Sequence, residues 1–202
     1  MSFERIKERL TALGYKVSCF ESKVEAADYV NHQIDGETVG IGGSKTVEEM
    51  GLFPLLSAHN EVWWHWYKSE TFSVAEIIEK QREANIYISS VNGIAETGEI
   101  INIDGTCNRV ADIFYGHKKV CLLVGSNKIA PDYDSALARA RNIAAPKNAA
   151  RLQKKTPCVS AGRCLDCASP DRICRGLSVL LAVPKAMGCE YEVVLINEPL
   201  GY

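Results

Sequence analysis

The run KKVCLLVG at 118–125 is apolar at almost every position after its two lysines. A strand of this kind needs both faces covered, as in a parallel sheet packed between helices. The rest of the chain supplies such helices. Phe3, Ile6, Leu10 and Leu13 fall on one helical stripe, with Ser2 as its N-cap and Gly14 as its C-cap. Further helices are expected at 23–34, 46–56, 73–85, 108–116 and 135–144. Strands are expected at 15–20, 37–44, 61–67, 86–91, 99–103 and 190–196. Strand and helix alternate, so the chain reads as an α/β three-layer sandwich with a mostly parallel sheet and helices on both faces. Residues 1–202 read as one domain, with a cysteine-rich insert at about 150–178.

Composition narrows the partners. The formal net charge is −2, which leaves no global field to draw nucleic acid or an acidic membrane surface. Glu4, Arg5, Lys7, Glu8 and Arg9 break any apolar run near the start, which excludes the core of a signal peptide there. No stretch approaches the roughly 18 apolar residues of a membrane helix. The expected compartment is the cytoplasm, where thiols stay reduced.

Sheets of this type bind ligands at the carboxyl ends of their strands, and three polar turns are expected there. In VGIGGSKT (39–46), Gly42 and Gly43 allow close backbone approach, and Ser44, Lys45 and Thr46 add hydroxyls and a charge suited to an anion. Equally, this is an ordinary tight strand-to-helix turn with a Ser or Thr cap. In NGIAETGEIINIDGTCNRVA (92–111), Glu96, Asn102, Asp104, Asn108 and Arg109 cluster near strand ends, as in a site or in a solvated hairpin tip. In VGSNKI (124–129), Asn127 and Lys128 follow the apolar strand. The aromatic cluster EVWWHWY (61–67) puts Trp64 and Trp66 on one face of a strand, with Trp63, His65 and Tyr67 on the other. It reads as core packing, or as a wall for a flat ligand or a homo-oligomer interface.

The segments VGIGGSKTVEEMGL, NIDGTCNRVADIFYGHKKVCLLVGSNKI and RARNIAAPKNAARL resemble the lactate-utilisation (LUD) domain family from about residue 36 onward. Cys107 stands where that family is expected to have glycine. The resemblance implies a fold similar to that of ribose-phosphate isomerases, glucosamine-phosphate deaminases and coenzyme A transferases (NagB/RpiA/CoA transferase-like). It also implies a place among the bacterial proteins of L-lactate oxidation to pyruvate, with a small anionic or phosphorylated ligand. The isomerases' Asp-Gly-Ala-Asp-Glu motif falls at Asn92–Glu96, where only the glycine and the glutamate remain in place, so an isomerase mechanism is not expected. Glu96 is the remaining candidate nucleophile or general base, since coenzyme A transferases work through a glutamate; a transferase or hydrolase acting on a phosphorylated or coenzyme A-linked substrate is the alternative. A non-catalytic ligand-binding or scaffold protein is the third reading.

CVSAGRCLDCASPDRIC (158–174) carries Cys158, Cys164, Cys167 and Cys174. Four thiolates suit an iron–sulfur cluster or zinc, and the single short knuckle Cys164-x2-Cys167, together with the lactate-oxidising association, favours iron–sulfur, with an electron-transfer partner protein. Disulfides, with Cys164 and Cys167 as the first pair, and a reduced structural segment are the other readings. Lys147, Arg151, Lys154, Lys155, Arg163, Arg172 and Arg175 give this region a basic surplus that would offset a thiolate cluster or bind phosphate. Cys19, Cys107, Cys121 and Cys189 read as packing residues.

Overall fold

A computed structural model describes residues 3–185 and 188–202. The expected cap at Ser2 lies outside the described residues. Six strands form one wholly parallel sheet: β1 (Lys16–Phe20), β2 (Thr38–Ile41), β3 (Glu61–Trp63), β4 (Ile86–Ser90), β7 (Lys119–Gly125) and β10 (Glu190–Ile196). Their order is β1-β10-β7-β4-β2-β3, and β10 runs in register between its neighbours from Glu190↔Lys119 to Ile196↔Gly125.

The apolar run of β7 is buried on both sides, as its composition requires. Cys121 and Leu123 face one core with α2 (Lys23–Gln33), α3 (Lys45–Glu49) and α4 (Leu52–Ser57). Val120, Leu122 and Val124 face the other, with α1 (Glu4–Ala12) and α6 (Asn108–Phe114). The architecture is a three-layer α/β sandwich. Ser22 and Ser73 start α2 and α5 (Val74–Glu83) with reciprocal capping boxes to Glu25 and Glu76.

The expected helix at 46–56 is two helices, α3 and α4, because Gly51 takes a left-handed φ of 66° between them. The expected strand at 61–67 stops at Trp63. Tyr67 N–H then donates to the Trp64 carbonyl in a turn, so Tyr67 stacks on Phe53 beside Trp64 instead of facing away from it. The expected helix at 135–144 is longer: α7 (Tyr133–Arg139) passes through a π turn at Ala140–Ala144 into α8 (Ala145–Arg151). Pro146 lacks the N–H that a regular α ladder would use at that point.

A second, smaller sheet was not expected as such. β5 (Gly93–Ala95), β6 (Ile100–Asp104), β8 (Ile129–Ala130) and β9 (Gly176–Leu180) form it in the order β8-β5-β6-β9. Ala95 and Ile101 of this sheet pack against Ala136 and Ala140 to form a third apolar cluster. The cysteine-rich segment therefore leaves α8, forms the short α9 (Pro157–Ala161) and returns as a strand paired with β6. Among the described residues no helix is long and apolar enough to cross a membrane.

Candidate functional site

A cavity of about 690 Å³ opens at the carboxyl ends of β2, β4 and β7. Gly43, Ser44 and Lys45 line it after β2, Ser90 at the end of β4, Val91 and Asn92 just beyond it, and Lys128 after β7. The small sheet adds Ile103 and Asp104, followed by Asn108 and Arg109 of α6. The far wall is α8, with Asn148 and Arg151, and the loop bearing Arg172 and Arg175. Trp66 and Tyr202 close the side.

The wall is strongly cationic. Lys45, Arg109 and Lys128 come from the segments that follow β2, β6 and β7, and Arg151, Lys154, Arg172 and Arg175 from α8 and the segment after it; Asp104 and Asp171 are the acidic residues of the lining. The overall charge of −2 is thus distributed unevenly, with a local excess of positive charge at the cavity.

Each cation is held differently. The Arg109 guanidinium donates to Asn102 Oδ1 at 2.6 Å, the Ile103 carbonyl at 2.9 Å, and Asn92 Oδ1 and the Ser90 carbonyl at 3.3 Å. Its Nε lies 3.6 Å from the Asp104 carboxylate. Arg109 therefore ties together the ends of β4 and β6. Gly42 is needed beneath it, since a Cβ there would collide with Tyr87 Oη and crowd the Arg109 and Ser89 side chains. Asp104 caps the following turn through Oδ1, which accepts from Thr106 and Cys107 N–H groups, while its buried Oδ2 has no hydrogen-bond partner. Arg151 lies 4.6 Å above the Trp66 ring and donates to Tyr202 Oη and Asn148 Oδ1. Arg172 donates to the Cys167 and Cys174 carbonyls, both at 2.8 Å, and so organises its own loop.

Lys128 is the exception. It is 3% exposed, and its Nζ donates to Thr46 Oγ1 at 2.8 Å and Ser90 Oγ at 2.9 Å. Burial, reinforced by Arg139 and Arg109, brings its pKa down to about 7 despite an opposing pull from Glu49. His65 is also lowered, chiefly by burial.

Most of the expected ligand-binding residues meet here. Gly43, Ser44, Lys45, Asp104, Asn108, Arg109 and Lys128 line the cavity. Gly42 and Thr46 stand directly behind it, against Arg109 and Lys128. Asn127 does not line it; its amide holds Leu200 N–H and the Gly201 carbonyl, and so positions Tyr202. Glu96 is placed elsewhere. The β5–β6 turn docks on α1, where the Thr97 carbonyl accepts from Arg9 and the Glu96 carboxylate lies 3.2 Å from Arg5. Reading the sequence in order missed Asn92, Asn148 and Tyr202, which come from separate stretches with no motif in common. Trp66 and the basic surplus after residue 147 were visible signals, and the cavity is where they meet.

The four cysteines expected to share a metal or cluster are not gathered. Among the described residues no group of three or more His, Cys, Asp or Glu is placed to hold a metal ion. Cys158 Sγ lies on α9, 3.1 Å from Thr156 Oγ1. Cys164 is drawn toward Arg141, at 3.8 Å, and Arg172 takes up the interior of the loop. Cys164 and Cys174 line a smaller cavity of about 260 Å³ with Arg141, Asp166 and Leu177. The donor set does not fit a four-thiolate shell in this arrangement. Of the cysteines read as packing residues, Cys121 is buried, Cys189 partly so, and Cys19 and Cys107 are exposed. Cys107 holds a left-handed φ of 64°, the backbone state that explains an expectation of glycine there.

A comparison with curated proteins finds no match. Among solved structures the chain is similar to a DUF162 family protein from Deinococcus radiodurans, at 13% identity over 96% of both chains, with a TM-score of 0.54. It also aligns with eIF2B beta from Chaetomium thermophilum at 16% identity, over 56% of this chain and 44% of that one, with a TM-score of 0.38. The first likeness shows a shared fold. The LUD domain family model matches residues 3–196, nearly the whole of the sheet and cavity framework, and the chain belongs to the LUD domain family.

Proposed function

We propose that this LUD domain serves L-lactate utilisation by binding a small carboxylate or phosphate compound in the cavity at the strand ends. One observation carries the reading: besides Lys128, six basic side chains, Lys45, Arg109, Arg151, Lys154, Arg172 and Arg175, line a single cavity in a chain of net charge −2. Gathering like charges is unfavourable unless an anion offsets them. The link to lactate rests on the family, and the anionic class of ligand on the charge of the wall. Asn92, Ser90 and Asn148 add neutral polar groups that can orient such a ligand.

The test is thermal unfolding with L-lactate, pyruvate or inorganic phosphate, against chloride at equal ionic strength. A ligand at 100 times its Kd stabilises by about 2.7 kcal/mol. For a domain of this size that is a rise of about 5–10 °C in Tm. Arg151→Ala should remove most of the rise, because it deletes a cation already oriented by Trp66 and Tyr202. No shift with any of the three anions would sink the reading.

A further inference from the structure

We propose that Lys128 is a nucleophilic amine that forms a covalent imine with a carbonyl compound carrying an anionic group. The inference deepens the reading of the cavity as an anion site and rests on it.

The hydrogen bonds around Lys128 favour a neutral amine. Thr46 Oγ1 donates to the Leu200 carbonyl at 3.2 Å, and Ser90 Oγ donates to the Leu123 carbonyl at 2.5 Å. Each hydroxyl has thus committed its single proton, and each can only accept from Lys128. A neutral amine has two N–H donors for these two acceptors and keeps one lone pair. The third N–H of an ammonium would have no acceptor from the protein: no third hydrogen bond from Nζ and no carboxylate within ion-pair distance occurs among the described residues. The charged groups acting on Lys128 are Arg109, Arg139 and Glu49. The Glu49 carboxylate accepts from Gly201 N–H at 2.7 Å, and Arg139 donates to the Asn127 carbonyl at 2.6 Å. Burial, with two cations against one engaged carboxylate, lowers the pKa of the amine to about 7, so that a large share of it is unprotonated near neutral pH.

A buried unprotonated lysine with an open lone pair on a cavity wall is an activated nucleophile. The same wall supplies Arg151, Arg172 and Arg175 for the anionic end of a substrate. Atoms balance without an oxidant or reductant. The nitrogen lone pair adds to the carbonyl carbon, and a proton passes from nitrogen to oxygen to give a carbinolamine. Loss of one water then leaves the imine. Thr46 and Ser90 hold the amine before attack, and once the imine is protonated its one N–H can be accepted by either hydroxyl oxygen.

The experiment incubates the intact chain with pyruvate, dihydroxyacetone phosphate or acetone. Sodium cyanoborohydride is added to reduce any imine, and the lysines are mapped by peptide mass spectrometry. Anion-induced thermal shifts are measured on the same samples. The expected result is a reduced adduct at Lys128 with pyruvate or dihydroxyacetone phosphate, weaker with acetone, and lost in Lys128→Arg and Lys128→Met. Which of the two anionic probes labels more tells a carboxylate from a phosphate ligand. Labelling of Lys128 should rise through about pH 7. Anion-induced stabilisation without an adduct at Lys128, or with adducts spread evenly over Lys45, Lys154 and surface lysines, overturns the imine and leaves the anion site standing. Equal labelling by acetone overturns the anionic requirement. Neither shift nor adduct overturns both readings.

Discussion

At the scale of single residues, Lys128 concentrates the cost of the site. Its pKa falls from 10.5 to about 7 on folding, so between those values the unfolded chain binds more protons than the folded one. Stability therefore rises with pH across that window, and the cost is fully present below about pH 7. At about 1.4 kcal/mol per unit, the amine costs the fold up to about 4 kcal/mol at neutral pH. Lys128→Met should raise Tm at pH 6, by about 2–4 °C for each kcal/mol recovered, and the gain should vanish above about pH 10.5. Melting curves at pH 6, 8 and 10 check this; a variant less stable than the parent at every pH would show that the amine is held as a cation. The sequence marked Lys128 as a ligand residue but could not show why it matters. Its partners Thr46 and Ser90 are 82 and 38 residues away, and a buried lysine looks like any other until the fold removes its water.

At the scale of elements, the alternating pattern was legible because buried parallel strands and amphipathic helices carry different periods. The six strands of the main sheet were all visible as apolar runs, though 61–67 was overextended by aromatic residues that pack in a turn. Of the small sheet only β6 was legible, as the strand expected at 99–103. β5 and β8 have three and two residues, too few for a period to show. β9 lies in the segment whose cysteines dominated its reading, and it is a strand because β6 offers it an edge. The segment 46–56 begins as a helix, as expected, and one glycine, Gly51, divides it into α3 and α4. A Cβ at Gly51 would meet no atom within 4 Å, so Gly51→Ala tests conformation alone. At a left-handed φ of 66° it should cost about 1 kcal/mol in urea unfolding and leave anion affinity unchanged. A loss of affinity with no loss of stability would place this break within the site's own machinery.

For the whole molecule, the cavity is where the large sheet, the small sheet and the cysteine-rich segment meet. The strand ends supply backbone rigidity, and the segment supplies much of the charge. A bound anion should therefore tie 170–175 and α8 to the ends of β2, β4 and β7. Hydrogen exchange should slow in α8 and in 170–175 on addition of the stabilising anion, with little change in α2 or α5; slowing confined to the strand ends would mean that the far wall takes no part. The position of β10 has a consequence in time. It lies between β1 and β7, so residues 16–20 have no in-sheet neighbour until residues 190–196 have left the ribosome. The two sheet edges on either side of the gap stay open until β10 arrives. The step that completes the main sheet should thus be the insertion of β10 between β1 and β7. Slow elongation or early termination should then appear first as aggregation, before any loss of ligand binding.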